Sequence, residues 1–353
     1  MTHNTISSLD RVLTTLSHKE PDRVPFFLLL TMHGAKELGM SIKDYFSKAE
    51  NVAKGQLQMR GKYGHDCLYA FFYAPVEVEA FGAEVIYIDD GPPNSGTPLI
   101  RDPEKIQGLT PPDVGHSKCL RKVLEAISMM KKKIGDEAPI IGVAMSPFSL
   151  PVMQMGFDRY IEIIYERPDL FSRLMKVNQD FCISWSNAQL KAGATAICYF
   201  DPVSSSGIVP PELYLKTGFQ VARKTLSQIQ GPTATHFASE RCLPIIKDVA
   251  RTGTAIVGVS ASEDLGQIKT ACKESHLTVL GNLNGIEMRR WSSDDTERIV
   301  KEAIAQAGPG GGFILSDNHG EIPWQVPDEV LLNLSEAVRS WGRYPLTWVE
   351  KRV

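Results

Sequence analysis

The sequence predicts an α/β protein, a (β/α)8 TIM barrel, over its 353 residues. Two observations support this fold class. Eight short apolar, β-prone runs are spread along the chain, and helical periodicity fills most of the intervals between them. Short apolar strands that alternate with helices form parallel sheets covered on both faces, and eight such units are the number that closes a barrel. An open doubly wound sheet is the alternative, but no strand is followed by Gly-x-Gly-x-x-Gly or a P-loop.

The elements follow one another in a regular order. The predicted strands are 24–30, 67–73, 140–145, 196–200, 233–237, 255–259, 277–281 and 312–315. The predicted helices are 42–63, 118–134, 160–192, 211–230, 243–251, 265–272, 296–306 and 328–341. A β-hairpin insertion is predicted over 76–89, where polar and apolar residues alternate before a turn near Phe81 and Gly82. Residues before the first strand form an N-terminal extension, and 1–353 is expected to be one domain.

Composition excludes several functional classes. The chain is 43% hydrophobic and 22% charged, and its net charge of −3 gives no footprint for nucleic acid. Its N-terminus lacks the apolar core of a signal peptide, and no run approaches the roughly 18 apolar residues of a membrane span. Six widely spaced cysteines form no Cys-x-x-Cys pair, as expected of a reduced protein. We therefore expect a cytoplasmic protein that binds neither nucleic acid nor membranes.

Two runs far apart in the sequence end in the same way. Residues 232–240 (PTATHFASE) and 313–321 (FILSDNHGE) are β-prone and stop at a histidine followed by a carboxylate. In a barrel the chemistry lies where strands end and βα loops begin, so the two runs predict one shared site. The predicted catalytic residues are His236, His319 and Asp201, the acid that ends an earlier strand.

Histidines and carboxylates together predict a metal. The expected ligands are His236, Glu240 and His319, with Cys242 and Glu321 as alternatives. Zinc takes nitrogen, sulfur and oxygen ligands, and imidazole with carboxylate leaves it a stronger Lewis acid than thiolates do. Such a metal polarises an ether or carbonyl oxygen. Under the competing interpretation Glu240 only caps the following helix, and Cys242, in its first turn, is buried.

Other strand ends carry candidate substrate-binding residues. Aromatic side chains offer stacking surface to a planar ligand, and short polar side chains offer hydrogen bonds. The predicted substrate-binding residues are His33, Tyr69, Phe72, Tyr73 and Asn282.

Several local stretches carry a family resemblance. They include EPDRVP at 20–25, KYGHD at 62–66, AFGAEV at 80–85, DPVS at 201–204, and the strand that ends at His236. On these stretches the chain resembles the uroporphyrinogen decarboxylase superfamily over nearly its whole length. The resemblance implies a (β/α)8 barrel with its site at the C-terminal mouth.

The superfamily holds decarboxylases and corrinoid-dependent methyltransferases. The decarboxylases carry N-terminal arginines that bind porphyrinogen carboxylates, but the matching stretch here, 28–36 (LLLTMHGAK), has no arginine. The methyltransferase branch is more similar, above all from His236 onward. Its thiol-activating members hold zinc with that histidine, a cysteine two residues later and a cysteine after the last strand. This chain has Ala238 and His319 at the two cysteine positions, which disfavours thiol methylation.

The resemblance, with this departure, implies the methyltransferase component of an O-demethylase. A methylated substrate, expected to be a methoxylated aromatic ether, would give its methyl group to Co(I) of a corrinoid. The chain has no Asp-x-His-x-x-Gly corrinoid motif, so the corrinoid is expected on a partner protein that docks over the barrel mouth. Zinc is the expected metal, and the chain is expected to be a monomer or a homodimer. The alternatives are methyl transfer from a methylcorrinoid to a thiol or folate, a decarboxylase, and a non-catalytic barrel that binds a corrinoid protein.

Overall fold

The computed structural model describes residues 6–349, and its centre is a seven-stranded parallel sheet that curls around an apolar interior. The strands in chain order are β1 (Leu68–Tyr69), β2 (Val85–Ile86), β3 (Asn94–Ser95), β4 (Ile140–Met145), β5 (Ala196–Phe200), β6 (Thr233–His236), β7 (Ile256–Gly258), β8 (Thr278–Leu283) and β9 (Phe313–Asp317). The parallel sheet has the order β1-β4-β5-β6-β7-β8-β9, and β2 pairs with β3 in a separate antiparallel ribbon.

Helices fill most of the connections between the parallel strands. They are α1 (Ser8–Leu16), α2 (His33–Leu38), α3 (Ile42–Ser47), α4 (Ala49–Tyr63), α5 (Val76–Ala80), α6 (Lys118–Ile134), α7 (Pro151–Met155), α8 (Phe157–Glu166), α9 (Pro168–Ala192), α10 (Pro211–Lys216), α11 (Gly218–Leu226), α12 (Ile246–Ala250), α13 (Leu265–Glu274), α14 (Ser293–Ala307) and α15 (Asp328–Trp341). Within the described part of the chain no helix is both long enough and apolar enough to cross a membrane.

Residues 24–30, here called the closing segment, take the eighth position between β9 and β1. Phe26 forms a parallel bridge with Leu315, and the Phe27 amide donates to the Leu315 carbonyl at 2.9 Å. On the other side the Asp66 amide donates to the Phe26 carbonyl at 2.7 Å. The predicted barrel-like α/β fold is therefore confirmed. The closing segment is the predicted first strand, and it is joined to β9 by one bridge and to the residues before β1 by one hydrogen bond.

A buried carboxylate anchors the closing segment. Asp66 forms ion pairs of 2.7 Å with both Arg11 of α1 and Arg23, and it accepts the Phe26 amide at 2.9 Å. Full hydrogen bonding and paired cations are what make a buried carboxylate tolerable. Residues from two of the stretches that carry the family resemblance thus meet here and help to close the barrel.

Alternation along the strands divides the core in two. Side chains of one parity fill the barrel interior, while those of the other parity pack under the helices. The interior cluster contains Phe27, Leu29, Cys67, Tyr69, Val143, Cys198, Ala234, Ile256, Leu280 and Ile314. The same parity brings Phe200 and His236, register partners on β5 and β6, to the upper rim of that interior. The strand pattern therefore positions the site.

The structure corrects several predicted elements. The predicted hairpin over 76–89 is wrong: its first residues form α5 after Pro75, and the antiparallel ribbon pairs β2 with β3 instead. Five alternating residues are too few to separate a strand from a helical turn with one buried side. The predicted helix 160–192 is broken between α8 and α9, because Pro168 disfavours helical backbone at Arg167.

Candidate active site

His236 ends β6 and is fully buried at the rim of the interior. The Ala238 amide donates to its Nδ1 at 2.9 Å, and Ala238 adopts a φ of 54°, as the chain turns back over the ring. Because Nδ1 accepts this bond, the neutral imidazole carries its proton on Nε2. Nε2 has no hydrogen-bond partner within residues 6–349. The ring therefore presents a free N–H donor.

The imidazole of His236 is held on both sides. It stacks on Phe200 with ring centroids 5.3 Å apart and an interplanar angle of 20°. On the β7 side stands Gly258, where a Cβ would lie 2.3 Å from the ring Cδ2. Burial, together with the nearby His319, lowers the pKa of His236 to about 3. The residue is thus a neutral donor at physiological pH.

Asp317 ends β9 in a tight turn. Its Oδ2 accepts the amides of His319 and Gly320, both at 2.9 Å, while Oδ1 finds no partner among the described residues. Tyr69 donates to the Gly320 carbonyl at 2.9 Å and so ties the turn to β1. Burial raises the pKa of Asp317 to about 7. This carboxyl therefore exchanges its proton near neutral pH.

His319 faces the same region from the turn after β9. Its Nδ1 is hydrogen bonded to the Ser239 hydroxyl, and its Nε2 has no partner in the described part of the chain. Burial lowers the pKa of His319 as well. The predicted pair of histidines is therefore brought together, with both Nε2 atoms unpaired.

Glu321 lies two residues after His319. The hydroxyl of Thr31, the residue that follows the closing segment, donates to its Oε1. Burial, reinforced by the nearby Asp317, raises the pKa of Glu321 to about 7. Two carboxyl groups with raised pKa values thus lie on either side of His319 in the chain, in a turn that packs against His236. Clusters of this kind are typical of functional sites.

Asp201, predicted as catalytic, ends β5 on the side that faces the helices. Its Oδ1 accepts the hydroxyls of Ser146 and of Ser149, the latter at 2.8 Å, and burial raises its pKa. Only its backbone meets the histidine, since the Asp201 amide donates to the His236 carbonyl at 2.8 Å. Its carboxyl group joins the loops after β4 and β5 and contacts neither imidazole by hydrogen bonding.

The predicted metal ligands are not assembled. Within residues 6–349 no three His, Cys, Asp or Glu side chains are grouped to hold a metal ion. Glu240 lies against Gly207, where a Cβ would come 2.3 Å from its Oε2. The thiol of Cys242 donates to Glu263 at 3.7 Å, and burial raises its pKa well above the usual value, which keeps it protonated.

The protonation of His236 also disagrees with the predicted zinc site. A zinc ligand needs a free imidazole lone pair, but Nδ1 is engaged by a backbone amide and Nε2 carries the proton. The residues present therefore do not fit the predicted three-ligand zinc site. The loop after β6 directs Glu240 and Cys242 away from His236, which sequence spacing alone could not reveal.

Of the three aromatic residues predicted to bind substrate, only Tyr69 lies in the barrel interior. Tyr69 and the half-buried Phe71 belong to the interior cluster, with ring centroids 5.8 Å apart. Phe72 instead packs 5.8 Å from Phe46 in the outer core, and Tyr73 donates to Glu79 at 2.6 Å. β1 ends at Tyr69, so the strand alternation does not continue through these residues.

The last two predicted substrate-binding residues, His33 and Asn282, form no hydrogen bond with His236, His319 or Asp317. His33 begins α2, fully buried, with its ring 6.2 Å from Trp324 in the loop after β9, and burial lowers its pKa to about 3. Asn282 donates through Nδ2 to the Ser260 carbonyl at 2.9 Å and so joins the loops after β7 and β8. Sequence reasoning did not select Asp317, although an acid at the last position of a strand was visible.

A parallel α/β barrel with titratable groups gathered at the carboxyl ends of its strands defines the class of α/β-barrel enzymes. The family model described as "Uroporphyrinogen decarboxylase (URO-D)" matches residues 7–341, and the chain belongs to this family.

Known relatives within the family carry two kinds of name. A uroporphyrinogen decarboxylase of Xylella fastidiosa is 26% identical, over 95% of this chain and 99% of its own. A "Methylcobamide:CoM methyltransferase MtaA" of Methanosarcina barkeri is 26% identical, over 72% of this chain and 76% of its own. A solved methyltransferase from Methanosarcina mazei superposes with a TM-score of 0.83 at 21% identity, covering 95% of this chain and 99% of that chain. This last likeness supports the fold.

Proposed function

We propose that this protein moves a methyl group from a small methyl ether, a methoxylated aromatic compound, to the cobalt of a corrinoid carried by a partner protein. The observation that carries the proposal is the unpaired Nε2–H of His236, held between Phe200 and Gly258. The turn that follows Asp317, a carboxyl group with a pKa of about 7, packs against the same ring, since a Cβ at Gly320 would lie 3.5 Å from its Cε1. The name of the Methanosarcina barkeri relative supports corrinoid-dependent methyl transfer. A reduced corrinoid supplies the nucleophile that receives the methyl group.

Breaking an ether C–O bond leaves negative charge on oxygen, and a proton must reach that oxygen. Asp317 meets the requirement, because its Oδ1 is unpaired and its pKa of about 7 keeps a large protonated fraction at neutral pH. A general acid works best when its pKa lies near the operating pH. The ether oxygen takes the Asp317 proton as the methyl group departs, so the products are a phenol and the Asp317 carboxylate.

The two imidazoles stabilise the same oxygen without giving up a proton. His236 is neutral, so its Nε2–H donates a hydrogen bond and does not act as an acid. Donors fixed in position before the reaction are effective, because they need no reorganisation as charge develops. His319 stands at the edge of the same region with its Nδ1 on Ser239. Phe71 and Phe200 supply apolar surface for an aromatic ring.

Uroporphyrinogen decarboxylation is the function in the names of other relatives, but two features disfavour it. The stretch 28–36 contains no arginine to pair with a polycarboxylate, and its single lysine, Lys36, stacks 4.4 Å over Trp324. The site also offers no cation, since no lysine or arginine within residues 6–349 forms an ion pair with Asp317 or Glu321 to leave positive charge near a substrate carboxylate. No metal step enters the proposal, because the donor set does not fit zinc.

The test measures methyl transfer from guaiacol to free cob(I)alamin. The reaction is monitored by the decrease in Co(I) absorbance. We expect turnover by the wild type and a loss of roughly 10²-fold in His236→Ala, the usual effect of removing one preorganised donor. His319→Ala should also lose turnover while it keeps the wild-type melting temperature, because a rim residue contributes little to the core.

Glu240→Gln is the matched control, since this nearby loop carboxylate lies against Gly207 and should leave turnover unchanged. A wild type that consumes no Co(I), or an active His236→Ala variant, would refute the proposal. Carbon dioxide release from uroporphyrinogen would favour the decarboxylase instead.

A further inference from the structure

The support of the Phe200–His236 ring stack carries a further inference, whose catalytic part rests on the proposed function. Met145, Phe200, His236 and Gly258 are register partners on β4, β5, β6 and β7, so they form one row across the sheet. The His236 ring stacks on Phe200 on one side, and Gly258 leaves space for it on the other. The orientation of the imidazole therefore depends on where Phe200 stands.

The strands end at this row. β4 ends at Met145 and β5 ends at Phe200. One residue further on, the Ser146 amide donates to the Phe200 carbonyl at 2.9 Å, and the Asp201 amide donates to the His236 carbonyl at 2.8 Å. Strand ends open locally at a lower cost than strand centres do. Side-chain contacts beyond the ladder therefore decide how firmly Phe200 is held.

The Asp201 carboxyl group supplies such contacts. Its Oδ1 accepts the hydroxyls of Ser146 and Ser149. The Ser149 amide donates to the Ser146 hydroxyl at 2.9 Å, and the Ser149 hydroxyl accepts the Val203 amide at 3.1 Å. These bonds form a buried network between the loops after β4 and β5. A polar network whose members are paired holds one arrangement of the groups that it joins.

The contacts of Asp201 depend on hydrogen-bond acceptance. The residue is 1% exposed, and within residues 6–349 it forms no ion pair, whereas the equally buried Asp66 is paired with Arg11 and Arg23. The two hydroxyls that it binds are uncharged donors. An amide oxygen can accept the same two hydroxyls, but an aliphatic side chain cannot. Asparagine and leucine at this position therefore separate acceptance of hydrogen bonds from the filling of space.

We propose that Asp201 is a positioning residue for the Phe200–His236 stack. Its hydrogen bonds fix the end of β4, the Ser146 amide fixes the Phe200 backbone, and the Phe200 ring sets the orientation of the imidazole. The turn after β9 packs on the Phe200 ring, since a Cβ at Gly320 would lie 2.5 Å from its Cε2. A displacement of Phe200 is not taken up on that side and passes to His236. The direction of the His236 Nε2–H therefore depends on Asp201.

The experiment compares Asp201→Asn with Asp201→Leu in the nuclear magnetic resonance spectrum of the histidine rings. The His236 signals are those that disappear in His236→Ala. We expect Asp201→Asn to keep the wild-type His236 shifts and Asp201→Leu to move them, because the ring current of Phe200 acts on the imidazole protons. Ser146→Ala removes one of the two hydroxyls, so it should move the same signals, and it replaces Asp201→Leu if that protein does not fold.

Ser335→Ala is the matched control. This buried serine of α15 donates its hydroxyl to the Tyr63 carbonyl, away from β4 and β5, so its loss should leave the His236 signals unmoved. Unmoved signals in Asp201→Leu and Ser146→Ala would overturn the proposal. Moved signals in Asp201→Asn would also overturn it, because acceptance of hydrogen bonds would then not be the property that matters.

Turnover of guaiacol with cob(I)alamin links the position of the ring to the reaction. In Asp201→Leu kcat should fall roughly tenfold or more at a nearly unchanged KM, because a misaligned donor weakens the transition state more than it weakens substrate binding. Asp201→Asn should restore kcat. Moved His236 signals with an unchanged kcat would overturn the catalytic part of the inference. A wild type that consumes no Co(I) would refute the proposed function, and the spectra would still decide the positioning role.

Discussion

Replacing Asp317 by asparagine should stabilise the protein at alkaline pH and have little effect in acid. Asparagine has the same shape, and its carbonyl oxygen can accept the amides of His319 and Gly320, as Oδ2 of the aspartate does at 2.9 Å. Its NH2 group takes the place of Oδ1, which has no partner among the described residues. The substitution thus removes a titrating group and leaves its two backbone hydrogen bonds in place.

The magnitude follows from the shift in pKa. Burial raises the pKa of Asp317 from 3.8 to about 7, so the folded state holds this proton more tightly than the unfolded chain does. The contribution of Asp317 to the free energy of unfolding is therefore greatest below pH 3.8 and is lost as pH rises through 7. Linkage gives a penalty of about 4 kcal/mol at pH 8 and under about 1 kcal/mol at pH 4. The asparagine variant lacks this penalty.

Urea unfolding of both proteins at a series of pH values measures the effect. The difference in free energy of unfolding, variant minus wild type, should rise by several kcal/mol between pH 4 and pH 8. Asp294→Asn, an exposed control, should show a difference near zero throughout. A pH-independent difference for Asp317→Asn would refute the argument, because it would mean that Asp317 titrates alike in the folded and unfolded protein.

Three further predictions use other parts of the structure. Gly258→Ala places a Cβ 2.3 Å from the His236 ring. Turnover should therefore fall sharply, and the free energy of unfolding should drop by about 1–3 kcal/mol. Normal guaiacol turnover would show that the ring has room to move. Asp66→Asn leaves Arg11 and Arg23 without their buried partner, and should lower the free energy of unfolding by about 3–5 kcal/mol in urea; a loss under 1 kcal/mol would mean that the barrel closes without this network. Because the donor set does not fit zinc, elemental analysis should find well under one zinc per chain. Dialysis against a chelator should leave turnover unchanged. One tightly held zinc per chain would refute the assigned geometry of the loop after β6.

The strands of the barrel could be predicted from sequence because their signal is local. Apolar runs such as β4 and β5 are bounded by turns, and their alternation with helices is enough to indicate a parallel sheet. The closing segment shows the limit of this approach. Its β-prone residues were visible, but its place next to β9 depends on Asp66, which meets Arg11 across 55 residues of sequence. Such long-range pairing leaves no periodic pattern.

The site could be predicted only in outline. His236 and His319 stand out as histidines at strand ends, and the fold brings them together. The protonation state of His236 was hidden, because it depends on the positive φ of Ala238, which turns a backbone amide toward Nδ1. Similarly, Cys242 looked like a possible ligand until the structure placed Glu263 on its amide and thiol.

Burial gives the mouth a property that its sequence conceals. By residue type the site contains two acids, Asp317 and Glu321, and two bases, His236 and His319. Burial raises both carboxyl pKa values to about 7 and lowers that of His236 to about 3, with His319 lowered too. All four shifts favour the uncharged form. The mouth therefore meets its substrate with two neutral imidazoles and two carboxyl groups that are partly protonated at neutral pH, so donors are in place when the leaving oxygen becomes negative. Interactions that strengthen only at that moment accelerate the reaction and do not merely tighten binding.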